Sequence, residues 1–411
     1  MVANGWQDIK LGEFVTLQRG HDLPEPQRSP GKIPVIGSFG ITGYHDKATT
    51  KGPGVTVGRS GASFGVTNYS AIDFWALNTA LYVIDFHGND EKFAYYFLKS
   101  IDFQRYNSGS AQPSLNRNFI HPISVKIPPL AEQKTIAHIL GTLDDKIELN
   151  QQMNQTLEAI ARALFKSWFI DFDPVRAKLD GRQPAGMDAE TAALFPAEFE
   201  DSALGKIPKG WQVVPLPEAI EVNPTRSLPK GKLAPYLDMQ NMPTQGHRPN
   251  GWIYREFGSG TKFIQGDTLL ARITPCLENG KTAFVDFLPE AEVGWGSTEY
   301  IIFRPKPPLP IEFGYFLARN EELRTHAIQN MTGSSGRQRV PANCFSSYLL
   351  AIPSDSIAKR FGDAVVPSMK LIRAKSEQIA TLTSIRDALL PKLLSGEIRV
   401  QDAETVVEAV T

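Results

Sequence analysis

Residues 136–168 read IAHILGTLDDKIELNQQMNQTLEAIARALFKSW, with an apolar residue recurring every third or fourth position. Counted in heptads, the stripe runs Ile136, Leu140, Leu143, Ile147, Asn150, Asn154, Leu157, Ala161, Leu164, Trp168, and eight of these ten are apolar. The same series displaced by 225 residues is Phe361, Val365, Ser368, Ile372, Lys375, Ile379, Leu382, Arg386, Leu389, Leu393, with seven of ten apolar. A 3.5-residue apolar repeat held over nearly five heptads predicts two long helices paired as a coiled coil, a rod of about 50 Å. Two amphipathic helices lying on separate cores would satisfy the same stripe. The polar seam positions cost stability but exclude wrong registers.

Working outward, the whole chain reads as written twice. Gly5-Trp6-Gln7 returns as Gly210-Trp211-Gln212, Tyr96-Phe97-Leu98 as Tyr315-Phe316-Leu317, and Ile127-Pro128 as Ile352-Pro353. Gly109-Ser110-Ala111-Gln112 has a looser echo in Gly333-Ser334-Ser335-Gly336. The order is conserved between copies and the offset only rises, so the second copy holds insertions in its globular part. Each copy opens with Gly/Pro-punctuated, β-branched runs that predict strands, among them 54–58, 81–85, 267–271 and 299–303, with short helical patterns at 91–100 and 312–320. Each closes with a long helix starting just after Pro129 or Pro353.

The expected fold is α+β: two similar mixed α/β domains joined by two long helices in an antiparallel coiled coil, as a pseudo-twofold duplication requires. The segments are a first domain at 1–129, a spacer helix at 130–170, a connector at 171–205, a second domain at 206–353, a second spacer at 354–396 and a tail at 397–411.

Charge follows this division. The chain's net charge is −1, yet 5–129 carries 12 basic against 10 acidic residues and 206–350 carries 16 against 13, while 171–205 carries 3 against 8. Such small excesses are within ordinary fluctuation unless something else singles out the two domains. Cys276 and Cys344 are too few for a disulfide framework, and no run approaches a membrane span or a signal peptide. A cytoplasmic chain is expected.

Familiar catalytic patterns are absent from the sequence. Gly280-Lys281-Thr282 resembles the end of a phosphate loop, but Pro275 stands where that loop needs glycine. There is no GxSxG, HExxH or metal-spaced Cys/His cluster, no intact GxGxxG, and Asn223-Pro224-Thr225-Arg226 lacks the second proline and aromatic of an amino-methyltransferase site. The expectation is a duplicated binding protein, with no catalytic and no metal site.

The residues resemble the DNA-specificity subunit of Type I restriction–modification systems. The likeness lies in Ala163-Leu-Phe-Lys-Ser-Trp-Phe-Ile-Asp-Phe-Asp-Pro-Val-Arg-Ala-Lys178, Glu190-Thr-Ala-Ala-Leu-Phe-Pro196 and Leu204-Gly205-x-Ile207-Pro208-x-Gly210-Trp211. Trp75-Ala-Leu-Asn-Thr-Ala80, Ala271-Arg272-Ile273-x-Pro275, Gly296-Ser-Thr-Glu299, Ile127-Pro-Pro-Leu-Ala-Glu-Gln133 and Leu390-Pro-Lys-Leu-Leu-Ser-Gly-Glu-Ile398 extend it over the chain. The resemblance implies two target-recognition domains, each reading half of a bipartite sequence in double-stranded DNA. It implies two modification subunits docked on the helices, restriction subunits joining through them, and S-adenosylmethionine on the modification subunits with no cofactor on this chain. A coiled-coil scaffold joining two domains for non-DNA ligands, or a subunit of a related restriction system that cuts beside its site, are the competing readings.

For contact with DNA, glycine- and serine-rich segments carrying a cation stand out, because they let backbone approach phosphate. Arg59, Arg117, Arg337 and Arg339 are candidates for phosphate or guanine, and Gln112, Asn116, Gln240 and Asn241 for adenine edges. Each is equally compatible with a turn or solvated surface. Arg272 and Lys281 join them, with pairing to Glu278 or Glu299 as the structural alternative. The spacer or docking set is Ile136, Leu140, Leu143, Ile147, Leu157, Trp168, Phe169, Ile372, Ile379, Leu382 and Leu389. For Trp168 and Phe169 the choice is between seam packing and a patch for a modification subunit.

Overall fold

The computed structural model describes residues 5–109, 112–334 and 336–410. Ser110, Ala111 and Ser335, from the serine-rich echo, lie outside the described residues. Two helices, Leu130–Phe169 and Asp355–Ser395, carry the seam. The chain forms two compact units, one running to Leu149 and resuming at Ile379, the other Asn150–Gln378, so each long helix contributes to both.

In the first unit the strands are β1 (Gln7–Lys10), β2 (Thr16–Arg19), β3 (Ile33–Gly37), β4 (Gly40–His45), β5 (Gly54–Gly58), β6 (Thr67–Ser70), β7 (Trp75–Ala76), β8 (Ala80–Asp85) and β9 (Ser124–Ile127). They form sheets β2-β8-β5-β6, β4-β3-β7 and β1-β9. A connector hairpin, β10 (Phe199–Ser202) with β11 (Gly205–Pro208), belongs to the second unit. There follow β12 (Gln212–Pro215), β13 (Ile220–Val222), β14 (Leu233–Leu237), β15 (Ile253–Glu256), β16 (Thr261–Ile264), β17 (Thr268–Ala271), β18 (Thr282–Phe284), β19 (Val293–Gly296), β20 (Tyr300–Pro305) and β21 (Leu349–Ile352). Their sheets are β13-β20-β17-β18, β15-β14-β19-β16 and β12-β21.

Strand for strand the second set repeats the first, with β16 added. Even the parallel pairing recurs, as β3 with β7 and β14 with β19. The duplication legible in scattered tripeptides is therefore a duplication of topology. Gly58, ending β5, meets a local demand of the first copy, since Ala271 ends the matching strand β17 in the second. A Cβ at Gly58 would meet the Ser63 and Ser38 carbonyl oxygens at 2.1 and 2.5 Å, so only glycine lets the three chain segments converge.

The helix stripe is buried where the heptads place it. In the first unit Ile136, Leu140, Leu143 and Ile147 share one core with Leu382, Leu389 and Leu393, and Ile379 packs at its edge. In the second, Phe165, Trp168 and Phe169 share a core with Phe361, Val365 and Ile372, with Leu157 at the edge. There Asn150 Nδ2 donates to Gln378 Oε1 (3.0 Å) and Asn154 Nδ2 to Ser376 Oγ (3.1 Å), so the helices run antiparallel. Met369, rather than Ser368, takes the buried position, a one-residue drift of the kind a 3.6-residue helix makes against a heptad. Arg386 answers Asp144 at 2.7 Å.

Gln133 bolts the start of the first long helix to its domain. Its buried amide donates to Pro128 O and Asn89 Oδ1 and accepts from Asp90 N. Pro367 sits inside the second helix without ending it: the missing N–H costs one bond, and the Asp363 carbonyl it leaves belongs to an exposed residue. The segment read as a tail contains a helix, Val400–Glu408, whose Ala403 and Val407 enter the first unit's core. Among the described residues no helix is long and apolar enough to cross a membrane.

Candidate nucleic-acid interface

In each unit an inner strand of the matching four-stranded sheet, β5 in β2-β8-β5-β6 and β17 in β13-β20-β17-β18, delivers an arginine to the same place. Arg59 follows β5; its N–H donates to Thr79 O (2.8 Å) and its carbonyl accepts from Leu115 N (2.7 Å). Arg272 follows β17; its N–H donates to Glu299 O (2.9 Å) and its carbonyl accepts from Val340 N (2.8 Å). The flanking bridges match as well, Ser60 with Ser114 and Ile273 with Arg339. Two loops distant in sequence are thereby stitched to each arginine.

Around Arg59 the structure gathers a polar cleft of about 490 Å³ lined by Gln18, Arg19, Arg59, Ser108, Asn116 and Arg117. Three guanidinium groups share it. Asn116 Oδ1 caps the short helix Arg117–Ile120 by accepting from Asn118 N, which leaves its amide N–H groups for another acceptor. Gln112 lies beside Gly61 and is exposed. Of the sequence candidates, Arg59, Asn116 and Arg117 are thus brought together. Gln18 and Arg19 were missed, since nothing in a strand end marks it as facing a loop about 90 residues away.

The second unit sorts its candidates differently. Arg339 is held by Glu299, Nε to Oε1 at 2.8 Å and Nη2 to Oε1 at 2.8 Å, so it is Arg339, rather than Arg272 or Lys281, that takes Glu299. Glu299 holds the Arg339 guanidinium above its ordinary pKa, through hydrogen bonding first and charge second. Lys281 turns inward, giving its ammonium to Met239 O (2.6 Å) and Gln240 O (3.5 Å). Asn241 is spent on Asp238, through both its backbone N–H (2.7 Å) and its amide (3.2 Å). Arg272 is half-buried, and its Nε has no hydrogen-bond partner among the described residues. Arg337 and Gln240 are exposed, and no acidic side chain among the described residues pairs with Arg337. The open cation here is therefore Arg337.

Each domain also plants a buried tyrosine on the first long helix. Tyr96 donates to Asp144 Oδ2 (2.7 Å) and Tyr315 to Glu158 Oε1 (2.6 Å). Burial pushes both hydroxyls far above the usual phenol range, so they remain donors. Trp168 and Phe169, 4% and 5% exposed, are packed against Phe195, Trp211, Phe313 and Phe361 and present no open docking patch.

Residues 3–159 match the family model described as the Type I restriction modification DNA specificity domain. The HindI specificity subunit of Haemophilus influenzae, a Type I restriction enzyme component, is 27% identical over 334 residues, 70% of this chain and 71% of its own. The MjaIX specificity subunit of Methanocaldococcus jannaschii is 25% identical over 333 residues, covering 78% and 72%. Over residues 3–159 the chain is similar to the Type I restriction modification DNA specificity domain. The crystal structure of such an S subunit from M. genitalium shares its fold, with a TM-score of 0.60 and 17% identity over 96% of this chain and 97% of the other. Of the two arginine positions, it is the one at Arg59 where this chain offers cations and an amide together.

Proposed function

We propose that this chain is a Type I specificity subunit that reads a two-part, asymmetric target in double-stranded DNA, one part with each unit, and positions two modification subunits on its long helices. Those subunits bind S-adenosylmethionine and methylate adenine, and restriction subunits join through them. The observation that carries this reading is the repeated sheet with an arginine at the same stitched position, Arg59 and Arg272, in otherwise different surroundings. Equal frames supply equal docking, and unequal loops supply unequal base contacts. Residues 1–129 and 206–353 serve as the recognition domains, and 130–170 and 354–396 as spacers.

Arg59, Arg117 and Arg337 take phosphate or guanine, while Gln112, Asn116 and Gln240 read base edges. A bidentate base contact discriminates by about 1–3 kcal/mol, so two short readings at a fixed separation multiply into useful specificity. Arg337→Ala is expected to weaken binding to all duplex sequences alike and to lower the slope of log affinity against log salt by about 1. Fluorescence anisotropy of the assembled complex with duplex DNA over a salt series measures both. An unchanged affinity and slope would remove Arg337 from the interface.

A further inference from the structure

The two copies differ most in one turn. In the first unit β3 and β4 are joined by Ser38-Phe39, whereas in the second β14 and β15 are separated by residues 238–252. This strap is fastened on its domain side by two cations that donate to backbone carbonyls. Lys281 holds Met239 O and Gln240 O. Arg319, just past the helix Glu312–Ala318, takes Thr244 O (2.7 Å) and Gly246 O, and with the same guanidinium Gly280 O (2.7 Å) and Thr282 O (2.9 Å). Backbone bonds from Thr282 N to Pro243 O and from Phe284 N to His247 O complete the attachment.

On its other side the strap reaches the second long helix through Arg248. That guanidinium donates to Arg373 O (3.1 Å), approaches Glu377 at 3.7 Å, and pairs with Asp286 at 2.9 Å. Asp286 also binds His247 Nε2 (2.8 Å), which fixes the strap's own conformation. Arg319 Nε donates to Tyr315, and through it the network ends on Glu158 of the first long helix. Between strap and helices lies a polar cleft of about 630 Å³, lined by Gln151, Asn154, Gln155, Glu158, Asn250 and Ser376 among others. An apolar contact would hold the strap by burial alone. A polar, water-accessible cleft leaves the hold to polar contacts, and Arg248 supplies a hydrogen bond to the helix at Arg373 O and an ion pair to the domain at Asp286.

We propose that residues 238–252 are a brace present only in the second copy, in which Arg248 is a positioning residue fixing that recognition surface on the second long helix and so setting the spacing at which its half-site is read. The inference rests on the two-part reading of the target. Arg248 itself touches no DNA in this account.

The assembled complex is tested with duplexes carrying its motif at native spacing and with the spacer lengthened or shortened by one base pair. Arg248→Ala is expected to reduce discrimination against the altered spacers roughly tenfold, the scale of one lost base-pair preference, while discrimination against half-site mismatches stays at the wild-type level. Arg248→Lys, which keeps the charge but loses the fork, falls between. Amide exchange at 244–250 is expected to rise in Arg248→Ala without DNA present. Wild-type spacer discrimination in Arg248→Ala, or uniform loss against every duplex, overturns the brace, as does unchanged exchange. Should the wild-type complex ignore spacer length, the two-part reading fails, and the exchange measurement still decides whether Arg248 holds the strap.

Discussion

Phe361→Ala is expected to destabilise the second unit by about 3–5 kcal/mol, the range for deleting a fully buried aromatic ring. Phe361 is 0% exposed and its ring centroid lies 4.8 Å from Phe169, 5.9 Å from Phe316, 6.0 Å from Trp168 and 6.1 Å from Phe165. These rings come from three parts of the chain, namely both long helices and the helix Glu312–Ala318, so no single element can shift to fill the cavity. The cost therefore belongs at the upper end for its chemistry, because collapse around the gap is restricted. Denaturant unfolding followed by tryptophan fluorescence measures it, since Trp168 borders the deleted ring. A loss below about 1 kcal/mol, the value for a site that collapses or is partly exposed, would contradict this packing.

Arg304→Met is the second large effect. Asp267 is 0% exposed at the start of β17, and its carboxylate takes Arg304 at 2.7 Å, Arg226 at 3.3 Å and the Ile264 N–H at 2.8 Å. Arg304 also donates to Gln265 O (3.1 Å), so it closes the turn between β16 and β17. Removing it leaves a buried carboxylate with the weaker of its two cations, and the expected loss is of order 3 kcal/mol. The double variant Asp267→Asn with Arg304→Met is expected to recover part of that loss, because the uncompensated charge is gone. A thermal-unfolding comparison of wild type, Asp267→Asn, Arg304→Met and the double variant checks both statements. Strict additivity would show that the pair does not act as one group.

The seam was legible because burial of a helix face writes a period into the sequence, and Ile136 through Trp168 carry it in eight of ten positions. The duplication was legible because β1 and β12, the helices at 91–100 and 312–318, and β9 and β21 each kept a few apolar or aromatic neighbours in order. Strands such as Gly54–Gly58 and Thr268–Ala271 announced themselves by β-branched or aliphatic runs between glycines and turns.

The site was only half legible, and the physical reason is the same in each case. Arg339, Lys281 and Arg337 look alike in sequence, yet one is neutralised by Glu299 forty residues away, one is turned onto backbone carbonyls, and one is open. Backbone acceptors leave no trace in residue identity, so the Arg319 hub had no signal to find. The Val400–Glu408 helix did have one, since Ala403 and Val407 stand four apart on one face. Trp168 and Phe169 could be assigned to the core only once Phe361 and Phe313 were seen to meet them.

The most direct test of the central claim is methylation mapping of DNA modified by the complex, comparing wild type with Arg59→Ala and Arg337→Ala. Two alike but non-identical reading surfaces predict methylated adenines in an interrupted, asymmetric motif, with Arg59→Ala loosening sequence requirements in one part only and Arg337→Ala weakening modification at every site. An uninterrupted motif, or Arg59→Ala relaxing both parts together, would contradict it.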